Sequence, residues 1–184
     1  LDLLTRFDNG EARLTGSELP ASGVAKTVSD FTAATAQADA APNGLTPGRV
    51  QTEPASVTPY KVTMVPNPQS VTLTGLSPGA ATRTANGDAA ARPMPDATLV
   101  NQLRLAGGVP DAINYPEAMI FATDQLAQLK TGTASLNEES YSISGEAKDA
   151  AAFDAVTGAL AGDLPAGLSL GSQSVRLPTA SPYV

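Results

Sequence analysis

The sequence predicts an α+β protein assembled from tandem small two-layer modules. Each runs helix, strand, strand, helix, strand (αββαβ), with its helices packed on one face of a three-stranded sheet. Three observations predict it: a long internal repeat, a switch between helical and strand spacing of apolar residues inside each copy, and turn residues placed where the spacing switches.

The repeat comes first because it sets the frame. A displacement of 122 residues carries Gly10, Ala12, Leu14, Ser22, Gly23, Ala25, Phe31 and Thr35 onto Gly132, Ala134, Leu136, Ser144, Gly145, Ala147, Phe153 and Thr157. After a one-residue insertion the displacement becomes 123, and Pro42, Gly44, Leu45, Gly48, Pro59 and Tyr60 fall on Pro165, Gly167, Leu168, Gly171, Pro182 and Tyr183. The middle third is a more distant copy. Its Val71-Thr72-Leu73-Thr74-Gly75 matches Tyr141-Ser142-Ile143-Ser144-Gly145, with Leu19-Pro20-Ala21-Ser22-Gly23 as the third instance.

The last copy can be read element by element. Pro116 suits the first turn of a helix, and Met119, Ala122, Leu126 and Leu129 follow at three- and four-residue spacing as one apolar stripe that Thr131-Gly132 ends. Ala134 with Leu136, and Tyr141 with Ile143, alternate on two strands joined by a turn at Asn137 to Glu139. Asp149 is placed to cap a second helix carrying Phe153, Val156 and Leu160 on one face, Pro165-Ala166-Gly167 turns the chain, and Leu168, Leu170 and Val175 supply a third strand. Two striped helices beside three half-buried strands imply a two-layer sandwich.

The first copy keeps only the tail of its leading helix in Leu1 to Phe7, closed by Asp8-Asn9-Gly10; Thr27 and Asp30 form a capping box for its later helix. In the middle copy Lys61 to Val65 and Ser70 to Leu76 form the hairpin, Pro78 starts a helix toward Ala91, Pro93 and Pro95 break it, and Thr98 to Leu105 is the last strand. The expected modules are residues 1–57, lacking most of the first helix, 58–108, divergent, and 109–180, complete. Ser181 to Val184 repeats the Thr58-Pro59-Tyr60 opening and is expected to start a further unit.

Composition narrows the function. Of 184 residues 42% are hydrophobic but only 4% aromatic, with no Trp, so the cores must be built from Ala, Leu, Val and Ile. A net charge of -7, from 11 basic and 18 acidic residues without a basic cluster, excludes nucleic acid as a partner and argues against electrostatic adhesion to anionic lipid. There is no Cys and no His, which removes disulfides, Cys/His zinc sites, thiol nucleophiles and His-dependent triads. No apolar run approaches the ~18 residues of a spanning helix, and no leader with a basic start is seen, although Leu1 opens inside an apolar pattern.

The strand-Gly pattern, clearest in Val71-Thr72-Leu73-Thr74-Gly75, resembles that of BON domains, whose fold is helix-strand-strand-helix-strand. The fuller set is Thr58-Pro59-Tyr60, Leu105-Ala106-Gly107-Gly108, Gly145 through Phe153, Leu164-Pro165-Ala166-Gly167 and Ser181-Pro182-Tyr183. In order and spacing it resembles tandem BON-like units of alphaproteobacterial OmpA-family proteins. The resemblance implies BON-like modules in the periplasm or at the cell outer membrane, within a protein whose peptidoglycan-holding domain lies outside these residues. It implies a non-catalytic structural or interaction module, a periplasmic scaffold or spacer able to self-assemble, whose partners are proteins: itself or other envelope proteins. Outer membrane or peptidoglycan would be reached through parts of the protein outside this chain. The alternative it leaves open is phospholipid or peptidoglycan binding by the modules themselves.

No catalytic, cofactor-binding or metal site is expected, and no cofactor. Glu138-Glu139, the adjacent carboxylate pair, falls in a hairpin turn, where both side chains should be solvated and unable to share acid-base work. Asp8-Asn9-Gly10 and Asn86-Gly87-Asp88 gather oxygen ligands but lack the count and spacing of a calcium loop, and turn and cap chemistry accounts for them. Ser17, beside Gly16 in a turn, has no His to activate it, and Lys26, Lys61, Lys130 and Lys148 stand in no S-x-x-K spacing. Gly107-Gly108 lacks the Lys-Ser/Thr of a phosphate loop and reads as a strand-to-helix turn. Tyr60 and Tyr183 occupy equivalent places and are expected to anchor one unit against the next.

Overall fold

Nine strands and four α-helices are found in the computed structural model among the residues it describes, 3–37, 46–67 and 69–179. They divide into two compact units, Leu1–Thr58 with Leu105–Gly108, and Pro59–Arg104 with Val109–Val184. The α+β class holds. The second part of the expectation, a separate three-stranded sheet per module, holds only for the first unit.

That first unit runs from a 3-10 turn at Leu4–Arg6 through β1 (Phe7–Ala12), β2 (Glu18–Ala25), α1 (Val28–Gln37) and β3 (Thr46–Glu53). The sheet order is β1-β2-β3, with β1 antiparallel and β3 parallel to β2. Thr27 caps α1: its hydroxyl accepts from the Asp30 amide at 3.0 Å and donates to the Asp30 carboxylate at 2.7 Å. The capping box thus closes side chain to side chain. Asp8-Asn9-Gly10 does not close a helix; these residues lie in β1, where a bulge between Phe7 and Asn9 lets Asn9 and Gly10 pair with Val24 and Gly23. Hairpin pairing outweighs the turn preference of Asn and Gly there.

In the second unit β4 (Lys61–Asn67), β5 (Ser70–Ser77), α2 (Ala80–Ala91) and β6 (Thr98–Leu105) are followed by α3 (Tyr115–Leu126), β7 (Leu129–Asn137), β8 (Ser140–Ala147), α4 (Ala150–Leu160), a 3-10 turn at Pro165–Gly167 and β9 (Ser169–Arg176). All six strands form one sheet in the order β6-β5-β4-β7-β8-β9. The join is β4 against β7, antiparallel, with Val62 opposite Leu136 and Met64 opposite Ala134. Both are first strands of hairpins. Each alone would present an unpaired edge, and pairing satisfies both.

The buried side chains of this sheet share one face. Val62, Met64, Val71, Leu73, Ala134, Leu136, Tyr141 and Ile143 are all buried. They stand directly opposite one another across the pairs Met64–Leu73, Ala134–Ile143 and Leu136–Tyr141, so they point to the same side. On that side α2 packs on β5, α3 on β4 and β7, and α4 on β8 and β9. The α3 stripe ends earlier than its spacing suggested. Met119, Ala122 and Leu126 are buried helical residues, but Leu129 opens β7 and Thr131-Gly132 lies inside that strand, not at the helix end. A strand places Leu129 in the same core that a further helical turn would have reached. Helix α2 starts at Ala80, two residues after Pro78, while β6 has the expected bounds. Asp149 caps α4 by accepting from the Ala152 amide at 2.7 Å. Residues 181–184, expected to open a further unit, lie outside the described residues, as do Pro42, Gly44 and Leu45 of the repeat.

The 122-residue repeat reappears in the pairing itself. Phe7 opposite Ala25, the bulge after it and Gly10 opposite Gly23 have counterparts in Leu129 opposite Ala147, the bulge after it and Gly132 opposite Gly145. The strand-Gly pattern now has a cause. A Cβ on Gly23 would lie 2.7 Å from the Asn9 carbonyl oxygen, and on Gly75 or Gly145 it would strike the carbonyls of Lys61 or Thr131. In each hairpin the partner backbone fills the space, so only Gly fits.

Gly75 also holds φ at +114°, a conformation costly for other residues. Gly75→Ala is therefore expected to lower stability by about 1–3 kcal/mol in urea unfolding. Gly158, exposed in α4 with open space around it, gives the opposite sign. Gly158→Ala should raise stability by about 0.5–1 kcal/mol.

Candidate interaction surface

The groups that could carry chemistry are dispersed. Glu139 is exposed in the β7–β8 turn, but Glu138 is not merely solvated: at φ 54° it turns the chain so that its Oε1 accepts from the Tyr60 amide at 2.7 Å while its own amide donates to the Tyr60 carbonyl at 2.8 Å. Asn86-Gly87-Asp88 is neither turn nor cap but the interior of α2. Packing overrides the turn preference there, because a Cβ on Gly87 would lie 2.8 Å from the Leu99 side chain and Asn86 is buried with a partner of its own. Ser17 sits in the β1–β2 turn beside Gly16 at φ +64°. Lys26 donates to the Thr5 carbonyl at 2.8 Å, and Lys130 and Arg176 both stand 3.8 Å from Glu146. Among the described residues no three acidic side chains gather as a metal site would require.

Gly107 and Gly108 lie in the first unit, where the Gly107 amide donates to Ala55 and its carbonyl accepts from Val57. Gly108, at φ +98° and against the Val57 carbonyl, holds a backbone conformation that favours glycine, but the residues around it form no assigned turn. Two depressions are lined by basic side chains: one of 330 Å³ with Arg13, Arg49 and Glu11, another of 300 Å³ with Lys130, Lys148 and Asp96. Neither brings a nucleophile to a base.

Tyr60 behaves as the anchor its position suggested. Its ring meets Tyr115 edge to face at 5.7 Å and 88°, and the Tyr115 hydroxyl donates to the Leu76 carbonyl at 2.8 Å while accepting from Asn86 at 3.3 Å. This knot ties β4, β5, α2, α3 and the β7–β8 turn together. Tyr183 lies outside the described residues. Burial lifts the hydroxyls of Tyr60, Tyr115 and Tyr141 well above the ordinary tyrosine range; the neighbouring Tyr115 adds to the rise at Tyr60, and the Asn86 bond partly offsets that at Tyr115.

The remaining surface of note is the sheet face away from the helices. Thr74, Thr63, Ser135, Ser142 and Ser172 stand in register across five strands, and Thr133, Ser144 and Ser174 form a parallel row. Each hydroxyl can donate and accept without charge. Such a face is the polar side of a one-sided sheet, and Glu146 opposite Arg176 continues it at one end. The alternation that marked these strands carried the signal, since Ser or Thr recurs at alternate positions in β5, β7 and β8, but spacing alone does not say that the rows align. Against this geometry, a scan of protein-family models matches none, and a search of curated proteins finds no significant match.

Two tyrosine variants separate bonded from unbonded hydroxyls. Tyr115→Phe removes the donor to Leu76 and strands Asn86, so it should cost about 1–3 kcal/mol in urea unfolding. The Tyr141 hydroxyl is buried with no hydrogen-bond partner, so Tyr141→Phe should be neutral or stabilising by about 1 kcal/mol.

Because the folded pKa values lie above the unfolded value of about 10, the folded form holds its tyrosine protons more tightly. This stability is complete below pH ~10 and is lost as pH rises beyond it. Absorbance at 295 nm should therefore show these three tyrosines ionising together with the loss of circular dichroism, not before it.

Proposed function

We propose that this chain is a non-catalytic structural and interaction module of a bacterial cell-envelope protein of the OmpA family, built of tandem BON-like modules and serving as a periplasmic scaffold or spacer at the outer membrane. The observation that carries the reading is the β4–β7 pairing. Two hairpins of separate repeats merge their edges into one six-stranded sheet and lock the seam with Tyr60, Glu138 and Tyr115. Modules joined by backbone hydrogen bonds keep a fixed spacing, which is what a spacer needs. The dispersal of Lys and carboxylates supports a role without chemistry. Protein partners, the chain itself among them, are the ones an exposed strand edge suits.

The hydroxyl face favours one second reading, direct binding of peptidoglycan, because Ser and Thr rows can hydrogen-bond to sugar hydroxyls. Sedimentation distinguishes the two. With a spacer, the chain should stay in the supernatant with purified sacculi and with vesicles containing anionic phospholipid. Pelleting with sacculi, abolished by Ser135→Arg on the hydroxyl face, would establish the second reading instead.

A further inference from the structure

We propose that the outer edge of β1 pairs with β1 of a second copy of this chain, antiparallel about a two-fold axis at Ala12. The template lies within the molecule. A displacement of 70 residues carries Val62, Thr63 and Met64, with their partners Gly75, Thr74 and Leu73, onto Gly132, Thr133 and Ala134, with partners Gly145, Ser144 and Ile143. In these terms the β4–β7 seam is one half of a two-fold arrangement that starts at its axis: Met64 faces Ala134, its own counterpart, with Thr63 opposite Ser135, Val62 opposite Leu136 and Lys61 opposite Asn137.

In the first unit, Ala12 takes the place of Ala134, and Arg13 and Leu14 those of Ser135 and Leu136. The outer edge of β1 is unpaired among the described strands. Strand β7 runs to Asn137, whereas β1 stops at Ala12, short of the residues whose counterparts meet β4. Leu14 is 60% exposed where Leu136 is 2% exposed. Transferring the seam's register sets Glu11 opposite Arg13 of the second copy, twice by symmetry, and Leu14 opposite Gly10. Charges on an edge usually discourage pairing. Here the two beside the axis are opposite in sign and spaced so that each meets the other.

The inference rests on the scaffold reading and narrows it to one surface. Sedimentation equilibrium of the full chain should show a monomer–dimer equilibrium. Glu11→Arg should weaken the dimer about tenfold by placing like charges opposite one another, and Glu11→Arg with Arg13→Glu should restore it to within about threefold. The chain has no cysteine, so Ala12→Cys gives a second measurement: it should cross-link under mild oxidation in the dimer, while Thr32→Cys on α1 should not.

A chain monomeric at all concentrations, a dimer indifferent to Glu11→Arg, or equal cross-linking at both cysteines would overturn the proposal. A dimer indifferent to these changes leaves the scaffold reading intact with assembly elsewhere. Sacculus binding would instead remove that reading whatever the oligomeric state.

Discussion

The pairing of β4 with β7 determines most of what the second unit can be. A three-stranded sheet with few aromatic side chains covers little apolar area, and each of its margins exposes unpaired amides and carbonyls. Joined edge to edge, two such sheets put the strands that carry Val62, Met64, Ala134 and Leu136 at the centre. Helix α3 then lies across β4 and β7, and its Tyr115 reaches back to Leu76 and Tyr60. The seam is therefore backbone pairing on one level and side-chain packing on the next. Without it α3 would have half its floor.

Glycine placement makes the hairpins capable of this. The partner carbonyl occupies the space of a Cβ at Gly23, Gly75 and Gly145 alike, which lets the two strands approach closely there. A bulge after Phe7 and after Leu129 brings a large apolar side chain over a glycine three residues on in the same strand: Phe7 lies over Gly10 and Leu129 over Gly132. A small residue and a large one thus fill a single slot, twice in the same chain.

Much of this could be read from residues alone. The repeat, the hairpins, the Thr27 and Asp149 caps, the strand at Thr98–Leu105 and the anchoring role of Tyr60 all rest on local chemistry: spacing, capping or turn preference. What could not be read is non-local. Leu129 satisfies a helical stripe and a strand equally well, and only the position of β8 decides between them. Asn86 and Gly87 carry turn chemistry until Tyr115 and Leu99 arrive from elsewhere in the chain. The merging of two sheets was invisible for the same reason, because nothing in β4 or β7 alone says which strand lies on its far side. The hydroxyl rows were written in the alternation of Ser and Thr, but their alignment depends on registers set across five strands.

The contrast between the units shows how composition and edges are linked. In the second unit Tyr141, Met64, Leu73, Met119, Leu126 and Leu136 are fully or almost fully buried, so the double sheet encloses large side chains on a continuous floor. Among the described residues, the buried apolar ones of the first unit are Phe7 and alanines: Ala21, Ala25, Ala34 and Ala55, with Ala106 from the returning segment. Alanine burial contributes little hydrophobic free energy per residue. A sheet with such a core depends more on backbone pairing, yet among the described strands β1 has a neighbour on one side only, and Leu14 is exposed at the place where its counterpart Leu136 is buried in the sheet that α3 covers. The same sequence pattern thus gives a closed seam in one repeat and an open edge in the other, and what separates them is the presence of a strand opposite.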